Sequence, residues 1–242
     1  MSETALKAPH QLGLDSFVED LFGLNIRGLG TIRDLLVRPK AVFEAARSPD
    51  WEERYTPSIR LVFSILTVMA FFSFIWAGDD SPMVQAMIEG LLASSDETGR
   101  TEQEAVDIAN RIVALYAASI PFVYIICHGL VSLVVRVWGK GTPALVRMRL
   151  YMLSIVPSMT FSVLSLFLAP RFGESLLYLA LSYLTAMALD AATAYRGGIV
   201  GSSSFRRVLK AVLFALVSFV TTAVASALAI AIPGIYVALQ AS

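Results

Sequence analysis

Five apolar stretches, Ile59–Ala77, Ile112–Val135, Leu150–Leu168, Ser175–Tyr195 and Val208–Ile232, dominate this chain. Each is close to the roughly 20 residues a helix needs to cross the hydrocarbon core of a bilayer. A globular core does not need apolar runs of that length. The composition agrees: 56% of the 242 residues are hydrophobic and 16% are charged, against about 45–50% and about 25% in soluble domains. Lipid offers no hydrogen bonds, so a spanning segment must satisfy its own backbone, and a helix does so. The expected fold class is therefore all-α. It is a polytopic membrane bundle of five transmembrane helices (58–242), preceded by a cytoplasmic arm (1–57) that carries amphipathic helices.

The stretches differ in strength. Ile59–Ala77 holds eleven Leu, Ile, Phe or Val residues, worth about −5 kcal/mol of insertion free energy. Ser175–Tyr195 holds six and also contains Asp190. An acid at the centre of a span costs about 2.5–3.5 kcal/mol, so this helix is expected to depend on its neighbours.

Charge in the loops sets the expected orientation. Gly78–Asn110 has eight acids and one base, Arg100. The loop from Arg136 to Arg149 carries Arg136, Lys140, Arg147 and Arg149 with no acid, and the loop after Tyr195 carries Arg196, Arg206, Arg207 and Lys210 with no acid. Positive loops stay in the cytoplasm. The N-terminus is then inside and the C-terminus outside, in a cell inner membrane. The first 57 residues contain no long apolar run, so no signal peptide is expected, and the first span directs insertion.

The arm has its own pattern. Leu14, Phe17, Val18, Leu21 and Phe22 recur at helical spacing between acids. A second helix is expected from Thr31, where Thr31-Ile32-Arg33-Asp34 resembles a capping box, with an apolar face of Ile32, Leu35 and Leu36. Pro39 breaks or restarts it, Val42, Phe43 and Ala46 continue its apolar side, and Ser48-Pro49-Asp50 ends it. Two readings are open. These helices lie on the inner leaflet with Arg33, Arg38 and Lys40 near lipid phosphates, or they cap the bundle. In the outer loop, Ser81-Pro82 marks one helix start and Thr101-Glu102-Gln103-Glu104 is a capping box for another. The second crossing should thus begin as helix outside the bilayer.

Ionisable residues inside a membrane are functional candidates. The spans hold His128 and Asp190, eight residues before Arg136 and six before Arg196. Both helices run inward, so both groups lie about 9–12 Å from the same boundary. The faces Pro121/Tyr124/His128/Ser132 and Tyr183/Ala186/Asp190/Ala194 are expected to meet, placing His128 against Asp190 with Tyr124 and Tyr183 beside them. Pro121 and Pro157 are expected to interrupt the second and third crossings. Ser218, Thr222 and Ser226 recur every fourth residue, which reads as a close-packing stripe.

No catalytic constellation, phosphate loop or metal-ligand spacing occurs in the sequence. The single cysteine, Cys127, excludes an intramolecular disulfide. The expectation is a protein without enzymatic activity, cofactor or metal. With a net charge of zero, nucleic acid is not an expected partner. The expected partners are the lipid bilayer and a membrane or cytoplasmic protein, and an oligomer is compatible with the sequence.

Gly139-Lys140-Gly141-Thr142 with Arg147, Tyr151 and Pro157, and the arm segment Leu35-Leu36-Val37-Arg38-Pro39 with Val42-Phe43, resemble the bacterial Yip-type (Ypt-interacting-protein-like) membrane proteins. Arg54-Tyr55-Thr56-Pro57 and the stretch from Gly198 to Ala211 add to the likeness, which covers about Thr31 to Val212. The resemblance implies a cytoplasmic N-terminus and five crossings. It brings no catalytic residues and no settled activity. Two functions stay open: a non-catalytic scaffold or adaptor acting through Arg33, Arg38, Lys40, Arg136, Lys140, Arg147, Arg149, Arg206 and Arg207, or a small transporter or lipid-moving protein using Asp190 and His128.

The charge pattern predicts that an alkaline phosphatase domain fused after Ser242 is active and that a fluorescent cytosolic reporter at the same place stays dark. The opposite pair of signals would overturn the topology.

Overall fold

The computed structural model describes residues 26–76, 82–93, 101–168 and 175–241. Within them every regular element is a helix: α1 Ile26–Val37, α2 Pro39–Ala45, α3 Trp51–Arg54, α4 Ser58–Trp76, α5 Pro82–Ala93, α6 Glu102–Val134, α7 Ala144–Leu166, α8 Leu176–Arg196 and α9 Ser204–Ala241. Four of them, α6 to α9, are long and apolar enough to cross a membrane. The expected helix around Leu14–Phe22 lies outside the described residues.

α7 is the axis of the bundle. It packs against α4, α6, α8 and α1, and every residue from Leu150 to Met159 is buried. The remaining helices surround it: α4 touches α6, α6 touches α9, and α9 touches α8. Their outward faces are apolar. Phe122, Ile126, Leu130 and Leu133 on α6 and Leu177, Leu181 and Leu184 on α8 are exposed, as lipid-facing surface should be. A hydroxyl is tolerated on the buried α7 because it bonds to its own helix. Ser154 donates to the Leu150 carbonyl at 2.8 Å, Thr160 to Val156 at 2.9 Å and Ser162 to Ser158 at 3.0 Å. Such back-bonded hydroxyls carry no unmet polar group to a neighbour and stay small enough for close approach.

Thr101 caps α6 as expected: its hydroxyl accepts from the Glu104 N–H, and the Glu104 carboxylate accepts from the Thr101 N–H at 2.9 Å. With 33 residues, α6 is about 50 Å long, well beyond the ~30 Å hydrocarbon core. Its N-terminal part lies against α5, where Val84 and Ile88 pack on Ala105 and Ala109.

Several expectations need correction. Pro121 and Pro157 do not interrupt α6 and α7, which run through them. A proline removes one N–H and crowds one preceding carbonyl, and neighbouring helices hold the rest of the ladder. The arm helix does not start at Thr31. It starts by Ile26, and Thr31 sits in its middle, donating to the Arg27 carbonyl at 2.7 Å and accepting from the Thr56 N–H at 3.1 Å. Asp34 is therefore not a capping residue but a buried acid, paired with Arg33 at 3.0 Å and Arg38 at 2.9 Å. Those guanidiniums, Arg38 foremost, hold its carboxyl below the usual carboxylate range against the opposing effect of burial. Leu36 is exposed, and Ile32 and Leu35 carry the buried face.

The arm caps the bundle. Arg196, at the end of α8, donates to the Leu36 carbonyl at 3.0 Å and the Val37 carbonyl at 2.7 Å, satisfying carbonyls that the end of α1 leaves open. Phe43 reaches under the bundle to Trp138 (ring centroids 6.4 Å apart), and Trp138 meets Phe214 at 5.6 Å. Arg149 lies over the Trp51 ring at 5.2 Å and pairs with Glu52 at 3.5 Å. The loops join there as well, through the Val200 N–H to the Val137 carbonyl at 3.0 Å. The outward side of α1 still shows Ile26, Leu29, Leu36 and Val37.

Gly197 makes the docking of Phe43 possible, because a Cβ at that position would overlap the Phe43 ring edge. Gly197→Ala should lower the unfolding midpoint of the purified protein by the roughly 1–3 kcal/mol that overpacking costs. Phe43→Leu in the same chain should recover part of it. A midpoint unchanged by Gly197→Ala would show that the contact is not tight.

Candidate functional site

A cavity of about 260 Å³ lies between α6, α7, α8 and α9. Its walls include Tyr124, Ser158, Met159, Tyr183, Asp190 and Thr222. One end is exposed and aromatic. Tyr183 is 56% and Phe219 38% exposed, and their rings meet edge to face at 5.7 Å across the seam between α8 and α9. The other end is polar and closed: Tyr124, Ser158 and Asp190 are each only 6% exposed. From Tyr183 to Asp190 the cavity follows α8 for seven residues, about 10 Å along the axis.

α8 places Asp190 at this closed end because Tyr183, Ala186, Met187 and Asp190 share one helical face. The carboxylate faces the hydroxyls of Ser158 on α7 and Ser218 on α9. Its Oδ1 is buried without a hydrogen-bond partner. An unpaired buried acceptor normally costs several kcal/mol when charged, so a donor from water, an ion or a ligand is called for there. The Ser158 hydroxyl donates to the Ile155 carbonyl at 2.8 Å, and that of Ser162 to Ser158. A hydroxyl has one proton and two lone pairs, so each of these groups can serve the backbone and the cavity in turn.

His128 belongs to a neighbouring chain of contacts. Its Nδ1 lies 3.1 Å from the Tyr151 hydroxyl and its Nε2 lies 3.2 Å from the Thr222 hydroxyl. Thr222 is 3.4 Å from the Tyr124 hydroxyl, and the Tyr124 and His128 rings stack at 4.0 Å. Either imidazole tautomer satisfies both links. The expected contact between His128 and Asp190 is not made. α9 stands between α6 and α8 and fills the gap with Thr222 and Ser218. Of the four residues singled out in the sequence, Tyr124, Tyr183 and Asp190 line the cavity, whereas His128 lies behind Tyr124 and Thr222.

Tyr151, Ser158, Ser218 and Thr222 escaped the sequence reading as site residues. A depth argument could have found two of them. Counted along α9 from Lys210, Ser218 and Thr222 stand eight and twelve residues on, about 12–18 Å from that end. That is close to the depth of Asp190 and His128.

The basic candidates are spread over the end of the bundle where the arm docks, and most bind the protein itself. Arg33 and Arg38 hold Asp34, Arg149 holds Trp51 and Glu52, and Lys40 lies 3.8 Å from Glu44. Arg206 donates to Ser202 at 3.0 Å, and Arg207 lies over the Tyr195 ring at 5.3 Å. Arg147 is half-buried with its Nε unpartnered, while Arg136 and Lys140 are exposed. Among the described residues no three His, Cys, Asp or Glu side chains converge on a metal position.

Comparison with protein-family models, with curated proteins and with solved structures gives no match.

Thr222→Val should leave a buried imidazole nitrogen and the Tyr124 hydroxyl short of a partner, at about 1–3 kcal/mol, whereas Thr222→Ser should keep most of the stability. Thermal unfolding in detergent micelles checks this. Equal midpoints for valine and serine would mean that the chain does not stabilise the bundle.

Proposed function

We propose that this protein is a non-catalytic integral membrane protein that binds a small solute in the cavity at Asp190 and moves it within or across the bilayer. The observation that carries the reading is the unpartnered Asp190 carboxylate oxygen at the closed end of a cavity whose other end is exposed. Dry packing around Asp190 would have favoured a structural role. In this reading α4, a 19-residue apolar helix against α6 and α7, is the fifth crossing. The basic loops stay in the cytoplasm of a cell whose inner membrane holds the protein, and the C-terminus lies outside. The order of motifs in the arm and loops supports a place beside the Yip-type membrane proteins.

A second reading, a scaffold or adaptor, keeps support from the outward face of α1. Ile26, Leu29, Leu36 and Val37 are exposed there, and Arg136 and Lys140 are exposed on the same cytoplasmic end. That combination suits an inner-leaflet surface. The cavity reading is preferred because so many of the other basic side chains are engaged within the protein.

Reconstituted proteoliposomes test the leading reading with a panel of labelled amines, sugars, amino acids and a short-chain fluorescent phospholipid. At least one flux should exceed that of protein-free vesicles and fall about tenfold or more with Asp190→Asn, as expected when a buried charge-assisted contact is lost. If Asp190→Asn leaves every flux as in the wild type, the cavity reading is lost.

A further inference from the structure

Resting on the cavity reading, we propose that the ligand class is a small organic ammonium, with its charged nitrogen at Asp190 and its apolar body lying toward Tyr183 and Phe219. Three features of the site point there. The first is its hydrogen-bonding polarity. The closed end presents the Asp190 carboxylate, whose buried Oδ1 has no partner, beside the hydroxyls of Ser158 and Ser218 that face it. A ligand that fits must bring donors, and an ammonium brings up to three with a charge opposite to the carboxylate. Among the described residues no Lys or Arg supplies that charge, and the Asp190 carboxylate faces Ser158 and Ser218.

The second feature is the wall. Tyr124, Tyr183 and Phe219 line the cavity, and aromatic faces attract organic cations as well as apolar groups. Met159 and Met187 add soft, adaptable surface. A hydrated alkali ion has little use for such walls, whereas a hydrocarbon body does. The third feature is size and direction. About 260 Å³ is just under the roughly 300–1,000 Å³ of drug-sized sites, enough for a compact amine or a single headgroup. The exposed aromatic rim lies between lipid-facing helices, so an amine with an apolar body reaches Asp190 from the membrane side.

Cyclohexylamine is a suitable probe, because cyclohexanol is its neutral counterpart of nearly the same shape. Binding to the full-length protein in lipid nanodiscs is measured with tritiated probes, beside Asp190→Asn and Ala186→Leu. The latter fills the cavity and leaves the carboxylate in place. We expect saturable binding of cyclohexylammonium that weakens about tenfold or more in both variants, with cyclohexanol binding at least tenfold more weakly than the amine. If cyclohexanol binds as tightly as the amine, Asp190→Asn changes neither and Ala186→Leu removes both, the ammonium assignment falls while the cavity reading stands. If sodium or potassium chloride alone, at matched ionic strength, protects the protein against thermal unfolding through Asp190 and the amine does not bind, an inorganic cation replaces the amine. If no probe binds to folded wild type, the assignment is overturned. The flux experiment with Asp190→Asn then decides separately whether the cavity reading survives.

Discussion

Burial of the Leu150–Met159 stretch of α7 on every side governs the rest of the bundle. A helix surrounded by protein in a membrane has neither water nor lipid headgroups for its polar atoms, so each must be satisfied within reach. α7 meets that condition by keeping its hydroxyls short and bonded to the preceding turn. The same property leaves its neighbours free to approach closely. α4, α6 and α8 all pack on it, and α9 completes the enclosure by bridging α6 and α8. Ser158 shows the consequence for the site: its hydroxyl lies within reach of both the Ile155 carbonyl of its own helix and the Asp190 carboxylate.

The end of the bundle under the arm is sealed by a different chemistry. Arginines and tryptophans replace small residues there: Arg196 on the end of α1, Arg149 over Trp51, and Phe43 beneath Trp138. Arg196 is also the last residue of α8, between one and a half and two turns beyond Asp190. The helix that carries the buried carboxylate is thus gripped by the arm at one end and bounded by the exposed Tyr183 at the other. A rigid inner end and an aromatic outer rim give the cavity a direction.

Inside that frame two polar groups divide the space. His128 is fully engaged by Tyr151 and Thr222 and acts as a strut among α6, α7 and α9. Asp190 lines the cavity and retains a buried oxygen without a partner. The contrast argues that they do different work, although they stand at similar depth. A satisfied histidine adds stability to the packing. An unsatisfied carboxylate costs stability unless something brings it a donor, and that cost is what makes the site readable as a place for a ligand.

Apolar stretches and loop charges in the sequence were enough to predict a helical membrane protein, the extension of α6 by its Thr101 capping box and the candidacy of Asp190. These depend on short-range quantities: run length, hydropathy, and spacing along a single helix. The start of α1 was misread because Thr31 and Asp34 carry cap-like side chains. Their true partners, Thr56 and Arg38 with Tyr55, include residues more than twenty positions away. The separation of His128 from Asp190 was likewise invisible. Depth follows from counting residues, but which helix stands between two others follows from packing. Only the tertiary structure placed α9 between α6 and α8, turned a stripe of small residues into the wall of a cavity, and left one carboxylate oxygen without a partner. A one-dimensional pattern says how far a residue lies from the membrane surface and which way it points from its own helix. Which side chains it meets is decided by how five or more such faces share a common interior.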